Sequence, residues 1–246
     1  MKHYIAFLVF LLSLSAFGQG LNVSWSRFTP FLGNACADSP SPYLAWQGFE
    51  CSPFDHGPEA WTTNGGGVNY IGTALAGLKS LHITNNGAAD GNLVSPTFSG
   101  QSEVWAFFLF KPIVILPSSA GRDIIAGWQR SDHNLQAYLA INTSGTLRIA
   151  SSTIDNTVDS MSAGTLYYVW FHYKRSTGAN GVLDVGFSTN GTRPTSGNKF
   201  VQITGQSAAD NLTEFTIMQN TGNPMTSEYQ FDNVLVKTSQ IGDNPP

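Results

Sequence analysis

The sequence predicts an all-β protein built as a two-sheet antiparallel sandwich, and three observations predict it. Short runs rich in Val, Ile, Phe, Tyr and Thr recur at regular spacing from Ser80 onward. Clusters of Gly, Asn, Ser and Pro separate them, which is the pattern of strands joined by turns. Between the runs, only Thr73 to Leu81 offers a helical period, and it amounts to one or two turns. Without sustained helices between strands, parallel βαβ construction is disfavoured. No repeat of the propeller or solenoid kind is found.

The elements follow in chain order. Met1-Lys2-His3 is a short basic start, Ile5 to Leu14 is an almost unbroken apolar run, and Ala16-Phe17-Gly18 supplies small residues. This is the three-part secretory pattern, with cleavage expected after Gly18 and a secreted product, extracellular or periplasmic. The run is too short to cross a bilayer, which takes about 20 apolar residues, so no membrane insertion is expected. Residues 19–45 form an irregular arm punctuated by Pro30, Pro40 and Pro42, because proline removes a ladder donor. Cys36 and Cys51 are the two cysteines, and an oxidising compartment favours their pairing as a disulfide. Such a bridge would close a loop of about 16 residues, worth ~3 kcal/mol from chain entropy. A metal site is the competing reading, weakened by the lack of His or Cys neighbours at ligand spacing.

The sandwich itself is expected over residues 46–238. Its strands are Ser80 to Thr84, Glu103 to Lys111, Asp123 to Arg130, Leu135 to Asn142, Thr146 to Ala150, Leu166 to Lys174, Val182 to Thr189, Phe200 to Thr204, Glu214 to Gln219 and Tyr229 to Thr238. Glu103 to Lys111 is apolar on both faces, as a central strand covered on each side must be, and Pro112 should end or bend it. Residues 239–246 are expected as a flexible tail.

Composition narrows the partners. Charged residues make up 11% of the chain and the net charge is -4, so no basic stripe suits nucleic acid. Aromatics reach 12%, above what a disordered chain carries. The sequons at Asn22, Asn142, Asn190 and Asn211 arise often by chance in an Asn/Ser/Thr-rich chain. No nucleophile elbow, phosphate loop, His-Glu-x-x-His or dinucleotide fingerprint is present.

Five stretches in order carry a family likeness: Ser80-Leu81-His82-Ile83, Glu103 to Phe108, Gly164 to Lys174, Val185 to Thr189 with Gly191-Thr192-Arg193-Pro194 behind it, and Phe231-Asp232-Asn233-Val234-Leu235-Val236. This order resembles the concanavalin-A-like lectin/glucanase superfamily, in its laminin-G-like bacterial branch, over residues 46–238. The resemblance implies a jelly roll of two curved antiparallel sheets, one of them a ligand face. It does not imply one activity, since fold does not give function. Its members include lectins, carbohydrate-binding modules, adhesion domains, glycoside hydrolases and polysaccharide lyases.

The chemistry must come from residues. Glucanases of this superfamily carry Glu-x-Asp-x-x-Glu on one strand, and that pattern is absent here. The glutamates are Glu50, Glu59, Glu103, Glu214 and Glu228, far apart in sequence, whereas glycoside hydrolysis needs two carboxylates flanking the bond. Lyases on this fold place His, Tyr, Arg and Gln or Asn on the ligand sheet. Gln129, Arg130, His133, Gln136, Tyr138, His172, Tyr173 and Lys174 are of those types, although the lyase motifs Arg-x-Glu-Leu-Arg and Gln-Ile-His are missing. Strand alternation puts Trp170, His172 and Lys174 on one face and Val169, Phe171 and Tyr173 on the other, the second set being core. Sugar binding needs an aromatic under the ring face and polar groups at its rim. Trp128, Arg130, His133, Tyr138, Trp170 and His172 fit that demand, while Trp25 and Trp105 read as core; Trp128 suits core packing equally well.

The expected function is therefore a secreted, non-catalytic carbohydrate-binding or adhesion domain with a polysaccharide or glycan as partner. A polysaccharide lyase or glycoside hydrolase is the alternative, and a structural extracellular protein the second. The resemblance also implies a structural calcium ion held by Glu50 in Phe49-Glu50 and Asp232 in Phe231-Asp232-Asn233, with carbonyls near Lys79 completing the 6 to 8 oxygens calcium takes.

Overall fold

A computed structural model describes residues 43–47, 61–64, 68–71, 75–76, 80–84, 92–115, 122–151, 154–208, 211–219, 227–243 and 245. The leader, the arm to residue 42, Cys36, Cys51, Glu50 and Glu59 lie outside them. No helix occurs among the described residues. Fifteen strands do: β1 (Ala45–Gln47), β2 (Thr62–Asn64), β3 (Val68–Ile71), β4 (Ser80–Thr84), β5 (Asn92–Val94), β6 (Glu103–Val114), β7 (Arg122–Gln129), β8 (Leu135–Asn142), β9 (Thr146–Ser151), β10 (Asp155–Ser160), β11 (Tyr167–Lys174), β12 (Ser176–Ser188), β13 (Phe200–Ala208), β14 (Glu214–Gln219) and β15 (Glu228–Lys237).

They form two sheets. The first runs β13-β12-β11-β6-β15-β4-β3, with β1 pairing beside β4 on β15; the second runs β10-β9-β8-β7-β14-β5-β2. Every strand pairing is antiparallel. Runs of neighbouring strands within one sheet (β3–β4, β7–β10 and β11–β13) are joined by crossings to the other sheet, which gives the jelly-roll sandwich expected from the sequence.

Alternation along each strand decides what enters the core. Val104, Ala106, Phe108 and Phe110 of β6 face inward with Val169, Phe171 and Tyr173 of β11. The second sheet answers with Trp128, Phe215, Leu139, Ile141, Leu147 and Ile149. Trp128 bridges the sheets, its ring centroid 5.6 Å from Phe171 and 4.6 Å from Phe215. Tilted aromatic pairs at such spacing add to the stabilisation from burial alone.

β15 holds its inward alternation across a break. Tyr229 and Phe231 face the core, and so do Val234 and Val236, three residues on from Phe231. The register against β6 shifts between Asp232 and Leu235, and Asn233 adopts φ 46°. This one-residue bulge lets both halves of the strand bury their apolar residues. Asp232 sits in it fully buried, Oδ1 accepting the Asn233 N–H and Oδ2 the Ala76 N–H, both at 2.8 Å.

Several boundaries differ from expectation for local reasons. Pro112 does not end β6, which continues to Val114. Its missing N–H coincides with a register irregularity against β15, and its carbonyl accepts Gly164 N–H. β10 was not expected, because Asp155-Asn156-Thr157-Val158-Asp159-Ser160 has no apolar face to read; it is an exposed edge strand. Gly145 closes the β8–β9 hairpin at φ 77°, where a Cβ would stand 2.6 Å from the Met161 carbonyl oxygen, so only glycine fits. The tail is docked as far as Asp243, contrary to the flexible segment expected from 239. Ile241 is buried, the Trp170 indole N–H donates to the Gly242 carbonyl at 3.1 Å, and the Arg193 N–H donates to Asp243 Oδ1 at 2.7 Å.

Candidate functional site

The six residues expected to bind sugar do not share one surface. Trp128 is fully buried between the sheets, so it presents no stacking face; its volume and its β7 position put it in the core. Trp170 and His172 point away from the core, as alternation requires, but the outer face of the first sheet is covered. Arg130, His133 and Tyr138 belong to the outer face of the second sheet or its rim.

The cover over the first sheet is specific. Across it a row of outward residues runs Gln202, Asp184, His172, Trp105 and Lys237. His172 stacks on Trp105 with centroids 3.7 Å apart. Its Nδ1 contacts Asp184 Oδ2 at 2.8 Å and its Nε2 contacts Glu103 Oε1 at 3.2 Å. Arg193 reaches Asp184 at 3.4 Å and lies 4.6 Å over the Trp105 ring. The loop carrying Arg193 can approach because residue 186 is glycine: a Cβ there would meet Pro194 Cγ at 2.9 Å. His172, Asp184 and Arg193 are all buried, and buried ion pairs of this kind hold a structure together only as a complete set. Lys174 remains exposed on Glu103.

The second sheet is buried along the middle of its outer face, at Val94, Thr216, Gly127 and Ala150, and exposed at Thr62, Asp155 and in part Tyr138. Its outward row runs Thr62, Val94, Thr216, Gly127, Tyr138, Ala150 and Asp155. On the β10 side, Asp155 accepts from two guanidiniums, Arg148 at 2.8 Å and Arg122 at 3.1 Å. Arg122 also lies 5.2 Å over the Tyr138 ring. Two cations around one carboxylate leave a net positive patch, and each guanidinium has further N–H donors in its fork. All of these groups are partly exposed.

On the β14 side, a tight turn follows β7. Arg130 N–H donates to the Asn134 carbonyl at 3.2 Å, His133 N–H to the Arg130 carbonyl at 2.9 Å, and His133 takes φ 61°. Asp132 accepts from Arg130 and Asn134. The Arg130 hydrogen bond, then those from Asn134, hold its carboxyl down at about 2. His133 Nδ1 meets Glu214 Oε2 at 2.8 Å, and Thr97 Oγ1–H donates to Glu214 Oε1 at 2.9 Å. Glu214 pairs in register with Gln129, so both stand on the outer face. Gln136 donates to the Asn134 carbonyl at 3.3 Å.

Sequence reasoning missed Arg122, Arg148, Asp155 and Glu214. Alternation would have reached two of them: Arg148 lies between the core residues Leu147 and Ile149, and Glu214 precedes the core residue Phe215. For calcium, Asp232 is a buried oxygen donor beside the loop at 75–76, which suits a hard cation. Among the described residues, no group of three or more His, Cys, Asp or Glu gathers around one point.

The sequence matches no protein-family model and no curated protein. Solved structures do share the fold. An endo-β-1,4-glucuronan lyase from the fungus Trichoderma reesei is similar at TM-score 0.56 and 13% identity, over 80% of this chain and 96% of that one. A Trypanosoma rangeli sialidase is similar at TM-score 0.55 and 11% identity, over 82% of this chain and 31% of that one. A marine PL-14 alginate lyase from Aplysia kurodai is similar at TM-score 0.52 and 10% identity, over 70% of this chain and 87% of that one.

Proposed function

We propose that the chain is a secreted polysaccharide lyase that cleaves an anionic polysaccharide laid across the outer face of the second sheet. The observation that carries this reading is one sheet face that bears a partly exposed paired-arginine patch with Tyr138 toward its β10 edge and an exposed imidazole, His133, at the turn after β7. The fold shared with a glucuronan lyase and an alginate lyase supports it. The non-catalytic reading leaned on Trp128 and Trp170 as stacking platforms, and both are buried.

Arg122 and Arg148 would pair with a carboxylate further along the anionic chain and hold the polymer across the sheet. His133 Nε2 would take the proton from C5. The C5–H electron pair becomes the C4=C5 double bond, and the C4–O pair leaves on the glycosidic oxygen. That oxygen takes a proton from the Tyr138 hydroxyl, and solvent returns both groups to their starting forms. Tyr138 lies two strands from Glu214 and about two residues along, roughly 12 Å between Cα positions at standard spacing.

Hydrolysis is less well served. Asp155 and Glu214 are separated by four strand spacings, roughly 19 Å, against the ~5–9.5 Å that paired glycosidase carboxylates require. Asp132, held ionised by Arg130, is a poor proton donor. The test is ultraviolet absorbance of the full chain with polyglucuronate, alginate and neutral glucans. Rising absorbance with a polyuronate, from unsaturated ends, is the expected result. New reducing ends without absorbance would replace elimination with hydrolysis, and binding without product would restore the lectin-like reading.

A further inference from the structure

Glu214 belongs to no motif, and its role follows from its surroundings. The side chain is only 4% exposed, whereas the His133 side chain bonded to it is 68% exposed. A buried carboxylate needs hydrogen-bond donors. Two segments converge on it to supply them. Residues 95–98 run beside β14, tied by Ser95 N–H to the Phe215 carbonyl at 2.8 Å and Phe98 N–H to the Thr213 carbonyl at 2.9 Å. That places the Thr97 hydroxyl on Oε1. The turn after β7 places His133 Nδ1 on Oε2.

The turn takes a left-handed residue at its last position. Among the described residues, only His133 and Asn233 combine a positive φ with a side chain. Asn233 sits in a bulge that the core explains. The β7–β8 hairpin explains His133: a three-residue loop between Arg130 and Asn134 takes its last residue in the left-handed region, and this sets the ring, mostly in solvent, against Glu214. An ionised carboxylate only accepts, so the ring nitrogen facing it must carry hydrogen. In the neutral ring the hydrogen is then on Nδ1, and Nε2 is bare.

We propose that Glu214, braced by Thr97, is the positioning residue that holds His133 as its Nδ1–H tautomer with a bare Nε2 turned over the outer face of the second sheet. Its meaning as a device for accepting the C5 proton rests on the lyase reading above; the tautomer itself does not. His133 is then the group that touches substrate, and Glu214 acts through it.

The experiment is ring-nitrogen NMR on the full chain labelled with 15N-histidine, at alkaline pH where the rings are neutral. Loss of one of the five histidine signals in His133→Asn makes the assignment. Wild type is expected to show hydrogen on Nδ1, and Glu214→Ala to switch it to Nε2. Glu214→Gln keeps an amide oxygen on the ring, so Nδ1–H should persist; this variant also serves if Glu214→Ala fails to fold. Hydrogen on Nε2 in the wild type overturns the proposal, and so does a Glu214→Ala spectrum identical to wild type. A second arm measures elimination on the polyuronate cleaved by wild type. Glu214→Ala should lower kcat at least tenfold with KM changed less than twofold, whereas a merely structural loss would lower both the active fraction and the melting temperature. The Nδ1–H tautomer with no product from any polymer sustains the positioning role and sinks the lyase reading. Product with hydrogen on Nε2 does the reverse.

Discussion

Two histidines on opposite sides of the sandwich meet different fates. On the first sheet, His172 stacks on Trp105 and gives both ring nitrogens to carboxylates, Asp184 and Glu103. On the second, His133 gives one nitrogen to Glu214 and keeps the other in solvent. Both rings lie on the outward side of their sheets. What differs is the chain that folds over them. The Arg193–Pro194 loop and the Ile241–Asp243 segment close the first face, and the second keeps exposed polar groups at its β10 edge and at the turn after β7, with Val94, Thr216 and Ala150 buried between them. Outward direction on a strand is therefore a weaker property than exposure, because a second layer of the same chain can cover it.

The sharpest way to break this contrast is to strip the cover. Trp170→Ala should cost about 3–5 kcal/mol, since it removes a fully buried indole. Urea unfolding measures it, and a loss under 1 kcal/mol would mean that the first face is open after all. Gly186→Val, which drives a side chain into Pro194, should cost about 1–3 kcal/mol by overpacking. Arg148→Ala on the second sheet should behave oppositely. Its partly exposed pair with Asp155 is worth at most ~1 kcal/mol, whereas loss of a charge-assisted bond to a substrate carboxylate should lower kcat/KM about 10- to 100-fold on a polyuronate.

A pH experiment separates the interior from the open rim. Asp123 is fully buried beneath β15, and burial pushes its carboxyl up despite hydroxyl bonds from Ser227 and Tyr229 at 2.5 and 2.6 Å. Its contribution to stability is full below the unfolded value of about 3.9 and is lost as pH rises through the raised folded value. Asp123→Asn should therefore gain on wild type, in unfolding free energy, from pH 4 to pH 8. Asp132, held down by Arg130, has the opposite sign: its contribution is present above about 3.9 and is lost as pH falls toward 2. The smallest effect expected is that of calcium. If Glu50 and Asp232 hold the ion, chelation should lower the melting temperature by a few degrees in wild type and not in Asp232→Asn, with no change in elimination rate. Equal melting with and without chelator would overturn calcium binding at Asp232.

Much of the fold was legible because alternation, turn residues and missing helical periods are local properties. They placed the long central strands and sorted Val169, Phe171 and Tyr173 inward from Trp170, His172 and Lys174. The edge strand β10 was illegible because an edge strand with two polar faces carries no apolar period. The site was half legible. Arg130, His133 and Tyr138 keep exposed surface on the second sheet or its rim, while Trp128, Trp170 and His172 lie in covered places.

By itself, then, the amino-acid sequence determined the all-β class, the strand faces and the polar and aromatic residue types available to a site, since these follow from backbone alternation and side-chain chemistry. Which outward groups stay exposed was decided by the tertiary structure alone. The gathering of Glu214, Thr97 and His133, and of Arg122 and Arg148 around Asp155, was decided there as well. Those groups come from strands and turns distant along the chain, and only the pairing order of the sheets brings them within hydrogen-bonding reach.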